Sequence, residues 1–587
     1  MTPAGVQTVD DQQTRRRLVV ALNVMTYLAM MIVAANILVS GGWTWLDSIY
    51  LAAFAIGLPW TVLGFWNAII GLILLHATRN PFALVAPFAA AGDVPTPLTV
   101  RTAVLMTLRN EDAARAISRF RIVQESLAAT GHGDAFSYFV LSDTDDPDIA
   151  HREEDAVTQW QANATPDLAD RITYRRRQDN AGYKAGNVRD FCQRWGHDFE
   201  LMLPLDADSL MSGDAIVRMV RMMQAFPRIG IIQSLIVGLP STSAFARIFQ
   251  FGMRHGMRSY TMGQAWWVGD CGPFWGHNAI VRVRPFHRQC ELPDVAGKPP
   301  LGGPVLSHDQ VEATFMRRAG YEVRVLPVEH GSWEENPPTI LDFLQRDVRW
   351  CQGNLQYLRL LDAPGLYAMS RFQLVWAILM FFGIPAWTLM IALLPAAAYD
   401  ARGITDFPTG LAIGLYLAFF AMYLMPKIAG LIDTLLTRNG VARYGGFLRF
   451  GASAALEVVF SFLQGAVSTI RTTLFMIALL FGARINWSGQ ARDSYGLAWS
   501  TALAALWPQT LFGLVICTAL LAINSPVFWW SLPLTAGYVL AVPFAVLTAN
   551  PRLGRWMQRV GLAGIPEDFD PPAEVSSALS QSNKQGS

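Results

Sequence analysis

The chain has 587 residues, a formal net charge of +1 and a mean hydropathy of +0.28, with 52% hydrophobic and 16% charged residues. That balance points away from a wholly soluble globule or a disordered chain and towards a membrane protein with a sizeable soluble part. The near-neutral charge provides no global field to gather nucleic acid, and five cysteines with no Cys-x-x-Cys pair suggest neither a zinc site nor a disulfide framework, so reduced thiols are expected.

Residues 1–17 are polar and end in Arg15-Arg16-Arg17, which reads as a cytoplasmic segment. The apolar run 18–40 is longer than a signal-peptide core and lacks a small-residue cleavage site, so it is expected to stay as an anchor. With 48–75 it gives two transmembrane helices within 18–75, each above the roughly 20 residues that cross a bilayer core. The loop 41–47 between them has no Lys or Arg. The positive-inside rule therefore places the N-terminus and the segment after the second span in the cytoplasm.

From about 97 to 365 short apolar runs (102–108, 136–141, 200–205, 230–232, 323–326) alternate with polar, helix-compatible stretches. That alternation predicts a mostly parallel sheet flanked by helices. Two further transmembrane helices are predicted within 374–432, and Arg438, Arg443 and Arg449 mark the following loop as cytoplasmic. Arg484 and Arg492 mark the loop after 454–482 in the same way. With both flanks inside, 454–482 is expected to be an interfacial or re-entrant helix, giving six spans, or a hairpin, giving eight. Glu457, Gln464 and Arg471, seven apart, lie close to one helical face. Two spans within 497–549 close the set, and the Ser-, Pro- and Asp-rich tail 565–587 is expected to be disordered.

The chemistry starts where the apolar run 199–205 meets Asp206 and Asp208. In an extended stretch, residues i and i+2 point the same way, so both carboxylates can face one divalent cation at a sheet edge. A solvated turn is the bland reading of such a pair. Further features follow in order: Asn110-Glu111 after the first strand, Asp143-Thr144-Asp145-Asp146 after the second, Lys184-Ala185-Gly186-Asn187, Ser307-His308-Asp309, and Arg346-Asp347-Val348-Arg349-Trp350. Singly these read as an Asx turn, an ordinary loop, a helix N-cap and surface packing. Their joint order is what singles them out.

Together these stretches resemble the catalytic domain of the processive, membrane-embedded family 2 glycosyltransferases, the class that includes cellulose and hyaluronan synthases. Residues 306–309, 346–354 and 276–282 resemble in particular the branch that makes the backbone of osmoregulated periplasmic glucans. The resemblance implies a multi-pass α-helical membrane protein with an inserted cytoplasmic α/β domain of the GT-A, Rossmann-like type. It also implies an inverting, processive glucosyltransferase that builds a β-1,2-linked glucan from UDP-glucose and moves it across the bacterial inner membrane. The alternative is another polysaccharide or a glycolipid. By the same resemblance Asn110, Glu111 and Asp143 hold the uracil and ribose, and Lys184 and Asn187 lie by the nucleotide and its diphosphate. Asp208, aided by Asp206, binds Mg²⁺ or Mn²⁺, and Asp309 is the general base. Arg349 acts on the donor, while Trp350, Trp275 and Arg346 lie on the acceptor side. The family's Gln-x-x-Arg-Trp motif has Arg346 at its glutamine position, and its acidic base motif reads Ser-His-Asp. Implied partners are the growing glucan, the lipid bilayer, acyl carrier protein and periplasmic glucan-modifying proteins, with both termini cytoplasmic.

These roles suit the residue types. A departing diphosphate needs its charge neutralised, and an acceptor hydroxyl needs a carboxylate to take its proton. Trp350 offers an aromatic face to the apolar side of a sugar. The aromatic run Trp266, Trp267, Phe274 and Trp275, and the intramembrane polar residues Glu457, Arg471 and Gln509, suggest a path on which a sugar chain could slide. Residues 485–490, with Trp487, are expected to form a gating loop over the donor pocket.

Overall fold

The computed structural model describes residues 9–483 and 492–585; the expected gating loop 485–490 lies outside the described residues. The soluble part is built on β1 Thr102–Leu108, β2 Phe136–Ser142, β3 Ile172–Arg176, β4 Leu201–Asp206, β5 Leu210–Met211, β6 Ile229–Gly238, β7 Ala279–Arg282 and β8 Glu322–Glu334. They form one sheet in the order β3-β2-β1-β4-β7-β6-β8-β5. β1, β2, β3 and β4 pair in parallel, and Thr107 of β1 lies opposite Asp206 of β4. The chain winds outward through β1, β2 and β3, then returns to place β4 on the far side of β1. That reversal opens a crevice at the carboxyl ends of β1 and β4, where open α/β sheets bind ligands.

β1 and β4 read as continuous apolar runs because both faces are covered. Val104, Met106, Leu203 and Leu205 pack into one core, and Ala103, Leu105 and Met202 into the other. The expected parallel character holds for this half of the sheet. Beyond β4, β7 runs antiparallel to both β4 and β6, and β5 antiparallel to β8. The short strands β5 and β7 and the polar edge strand β3 escape a search for apolar runs, since each is too short or too charged to show one.

The protein is a multi-pass membrane protein: among the described residues six helices are long and apolar enough to cross a bilayer. They are Asp11–Val39, Trp45–Ala77, Ala368–Ala392, Thr409–Leu436, Phe447–Leu480 and Trp499–Ala522, and the pair Val527–Val539 and Ala541–Thr548 is bent by 57° at its break. Pro543 accounts for the bend, having no N–H to offer the carbonyl four residues back. The hairpin reading of 454–482 is corrected, because Phe447–Leu480 is one unbroken 34-residue helix. Its length and composition would let it span, yet it touches the domain along its course. Phe450 meets Phe251, Phe460 meets Phe245, and Thr472 Oγ1 donates to Asp347 Oδ2 at 3.2 Å.

The tail is the second correction. Residues expected to be disordered form the helices Pro566–Phe569 and Ala573–Gln585. Val575 and Ala578 bury themselves in the core that also holds Ile117, Phe120 and Val123 of the helix Ala113–Ala129. Glu567 and Asp568 pair with two buried arginines of the helix Ala244–Val268: Arg254 at 2.9 Å and Arg247 at 2.8 Å. A polar composition conceals such docking, since buried arginines need acids and these two lie far away in sequence.

Candidate active site

Four strand ends deliver the site. β1 runs out into Asn110, whose φ of 53° turns the chain sharply. Its backbone N–H donates to Thr144 Oγ1 at 3.0 Å, and its side-chain oxygen accepts from the N–H groups of Asp145 and Asp146 at 3.2 Å each. Asn110 thus ties the end of β1 to the loop after β2. Asp143 leaves β2 almost fully buried, and both its oxygens accept from Arg177 at 2.8 and 2.7 Å. Both oxygens of Asp143, a residue expected to contact a nucleotide, are thus engaged by the Arg177 guanidinium.

Lys184 and Asn187 sit on the helix Tyr183–Arg194 but do different work. Asn187 faces inward and donates to the Leu141 carbonyl at 3.0 Å, anchoring the helix on β2. Lys184 faces the crevice and bonds Asp206. Burial acts to raise the Asp206 carboxyl, but Lys184 and His277 outweigh it and hold Asp206 below the usual range. Asp208 bonds Arg492, which also stands 3.9 Å from Glu111. Burial pushes Glu111 up to about 7; Arg492 opposes that rise, while Asp208 and Asp206 add to it.

Asp309 opens the helix Asp309–Arg318. It is held from two sides. Gly276, at φ +80°, passes so close that an added Cβ would stand 2.7 Å from Asp309 Oδ1, so only glycine lets the carboxylate sit there. The His308 Nδ1 lies 3.1 Å from Asp309 Oδ1 and 2.9 Å from Glu312 Oε2. Burial acts against charge on His308, yet Asp309 and Glu312 outweigh it and raise the imidazole to about 9. Three ligand-capable atoms of His308, Asp309 and Glu312 fall within 4.8 Å of one another. The imidazole Nδ1 hydrogen-bonds Glu312 and lies in ion-pair range of Asp309, so the three side chains already partner one another. The loop is pinned to the helix Ile340–Gln356: Tyr357, just past its end, donates its hydroxyl to the Ser307 carbonyl at 2.7 Å, and Gln356 accepts from the Leu306 N–H at 2.8 Å.

That helix also carries Arg346, Arg349 and Trp350. Arg346 lies over the Trp350 ring at 4.8 Å, leaving Trp350 48% exposed. Burial, followed by repulsion from Arg346 and Arg492, pushes Arg349 down to about 10, so it stays charged at neutral pH. The Trp275 N–H donates to Gln233 Oε1 at 2.8 Å, which fixes the turn that brings Gly276 under Asp309. Lys184 feels Asp206, Asp309 and Asp208 together. The structure therefore gathers Glu111, Asp206, Asp208 and Asp309 with Lys184, Arg346, Arg349 and Arg492 around one crevice; Asn187 and Asp143 support it from behind.

Three participants are invisible to sequence patterns. Arg492 shows there only as a topology marker, Arg177 as one of three successive arginines, and His277 as part of a glycine turn. No spacing rule connects them to the acids, because each arrives from a different element.

The sheet, the acids at its carboxyl edge and the apolar helices define a membrane-embedded glycosyltransferase. Residues 201–425 match the model of the Glycosyl transferase family group 2. The chain is 36% identical over 561 residues to the glucans biosynthesis glucosyltransferase H of Xanthomonas campestris pv. campestris, covering 92% of this chain and 85% of that one. It is 36% identical to the protein of that name from Ralstonia nicotianae and 35% identical to that from Pseudomonas aeruginosa, covering 96% and 89% of this chain. The chain belongs to the glucans biosynthesis glucosyltransferase H family. It spans 66% of the Ralstonia relative's length and 62% of the Pseudomonas one. Among solved structures, a mannosyltransferase from Pyrobaculum calidifontis in complex with GDP-Man and Mn²⁺ is similar at 18% identity and a TM-score of 0.39, over 67% of this chain and 99% of that one.

Proposed function

We propose that the protein is an inverting, processive glucosyltransferase that uses UDP-glucose on the cytoplasmic side of the bacterial inner membrane. It extends the β-1,2-linked backbone of osmoregulated periplasmic glucans and passes it outward. The observation that carries this reading is the convergence of Asp206, Asp208 and Asp309 with Lys184 and Arg492 at the reversal of the sheet.

Asp206 ends β4 and Asp208 lies in the turn that follows, not in an extended stretch; with His277 close by, they form an oxygen-rich donor set that fits Mg²⁺ or Mn²⁺. Such an ion, when bound, would neutralise diphosphate charge. The chain's own residues do the rest. Asn110, Glu111 and Arg177 with Asp143 frame the end of the crevice for the nucleoside. Lys184, Arg349 and Arg492 supply fixed positive charge where the leaving diphosphate gains negative charge. Preorganised charges of this kind do more than any other single effect to lower such a barrier. The acceptor hydroxyl gives its proton to Asp309 as it attacks the anomeric carbon, and the bond to UDP breaks on the opposite face. One displacement turns the α-linked donor into a β-linked product. Trp350 receives the terminal sugar on its exposed face, with Trp275 beside the base.

The test is purified protein in lipid with radiolabelled UDP-glucose. A ladder of water-soluble β-1,2-glucan with matching UDP release is expected, and Asp309→Asn should lower turnover by roughly 10²–10⁴-fold. A single glycolipid product, or no UDP release, overturns the reading.

A further inference from the structure

A second functional surface lies away from the crevice, on the side of the membrane helices that carries the catalytic domain. Residues 437–456 and 549–566 contain six arginines, Arg438, Arg443, Arg449, Arg552, Arg555 and Arg559, and no acidic residue. Each segment follows directly on an apolar helix, Thr409–Leu436 in one case and Ala541–Thr548 in the other. That places both at the depth of lipid headgroups.

The two segments are joined. The Phe569 ring lies against Gly445, Gly561 and Gly564, and the Arg449 side chain reaches Gly561 at the end of the helix Pro551–Val560. On that helix Gly554 and Met557 are buried, with Gly554 so close to the Thr242 carbonyl that no Cβ would fit between them. The opposite face presents Arg552, Arg555 and Arg559 to the outside, with Trp556 51% exposed. On the neighbouring segment Phe447 and Leu448 are 72% and 84% exposed. Among the described residues, none of the six arginines makes an ion pair with an acid of the chain.

Exposed arginines alternating with exposed aromatic and aliphatic side chains, at the ends of membrane helices, are the pattern of an anionic membrane surface. We propose that Arg438, Arg443, Arg449, Arg552, Arg555 and Arg559 form a binding surface for anionic phospholipid headgroups, with Phe447, Leu448 and Trp556 set against the acyl chains. A nucleic acid or a soluble polyphosphate would use the arginines but leave the apolar residues without a role. The surface is separate from the crevice and independent of which sugar the enzyme transfers.

The test uses the full chain in nanodiscs made from equal parts of phosphatidylcholine and phosphatidylglycerol. Lipids within reach of the surface are read by tryptophan quenching with brominated phosphatidylglycerol against brominated phosphatidylcholine, and retained lipids by native mass spectrometry. Wild type should retain phosphatidylglycerol several-fold over phosphatidylcholine, with the preference weakening as salt rises. R552Q/R555Q/R559Q and R438Q/R443Q should each reduce the enrichment, and W556F should reduce the quenching difference by the share that Trp556 contributes. UDP release in phosphatidylcholine alone should stay at the wild-type level in all three variants, showing that they are folded. Equal enrichment in wild type and arginine variants would overturn the proposal. So would displacement of the retained lipid by inorganic polyphosphate or an oligonucleotide at equal charge concentration.

Discussion

Replacing Arg492 with Gln removes the cation that bonds Asp208 and stands 3.9 Å from Glu111. Its side chain is only 15% exposed, so the bond is poorly screened. A charge-assisted bond in such a place is worth about 1.5–3 kcal/mol. A divalent cation that takes Asp208 must first displace Arg492, and without that competitor it should bind roughly tenfold or more tightly. The opposite effect falls on turnover. A guanidinium released from Asp208 is at hand for the departing diphosphate, and losing one preorganised donor costs roughly 10²–10³ in kcat. Arg492→Gln should therefore half-saturate at lower Mn²⁺ while turning over far more slowly. Mn²⁺ binding is followed by electron paramagnetic resonance without donor, and turnover by UDP release. A variant within threefold of wild-type kcat, with an unchanged Mn²⁺ titration, would refute the reasoning.

Three other expectations follow from the same geometry. Gly276→Ala puts a methyl group 2.7 Å from Asp309 Oδ1 at a φ of +80°, and should lower kcat at least tenfold while leaving UDP affinity, read by calorimetry, near wild type. The His308 imidazole, raised to about 9, contributes stability that is full below its ordinary value near 6.5 and disappears as pH rises through 9. That linkage amounts to up to ~3 kcal/mol, so the thermal stability of wild type should exceed that of His308→Asn at pH 6 and lose that lead by about pH 9; parallel melting curves would contradict it. Glu567→Ala leaves the buried Arg254 with Glu329 alone, and breaking a buried pair in this way costs about 3–5 kcal/mol. A melting temperature unchanged by that substitution would show the tail to be a passive attachment.

Much of the architecture could be read directly from the residues. The apolar runs of β1, β2 and β4 stand out because a central parallel strand is covered on both faces, and Asp206 and Asp208 stand out because they interrupt such a run at its end. Asp309 stands out only through its place in the order of motifs and the family resemblance, since singly it reads as a helix start. What stayed hidden depends on contacts between distant segments. Arg492 reaches Asp208 across 284 positions, and local patterns carry no trace of such a pairing. Asn187 has the right type for a ligand, but only the packing of its helix on β2 decides that it faces the strand. The tail illustrates the limit of composition: Glu567 and Asp568 look solvent-loving until Arg254 and Arg247 are seen buried beneath them.

That docking also imposes an order on assembly. Arg254 leaves the ribosome 313 residues ahead of Glu567, with the later apolar helices made in between. Until the last of these has been inserted, both guanidiniums of the Ala244–Val268 helix wait without their final counter-ions. A nascent chain in which the helices between residues 368 and 548 fail to insert would leave these two arginines without their tail acids, so the docked tail reports that those helices are in place.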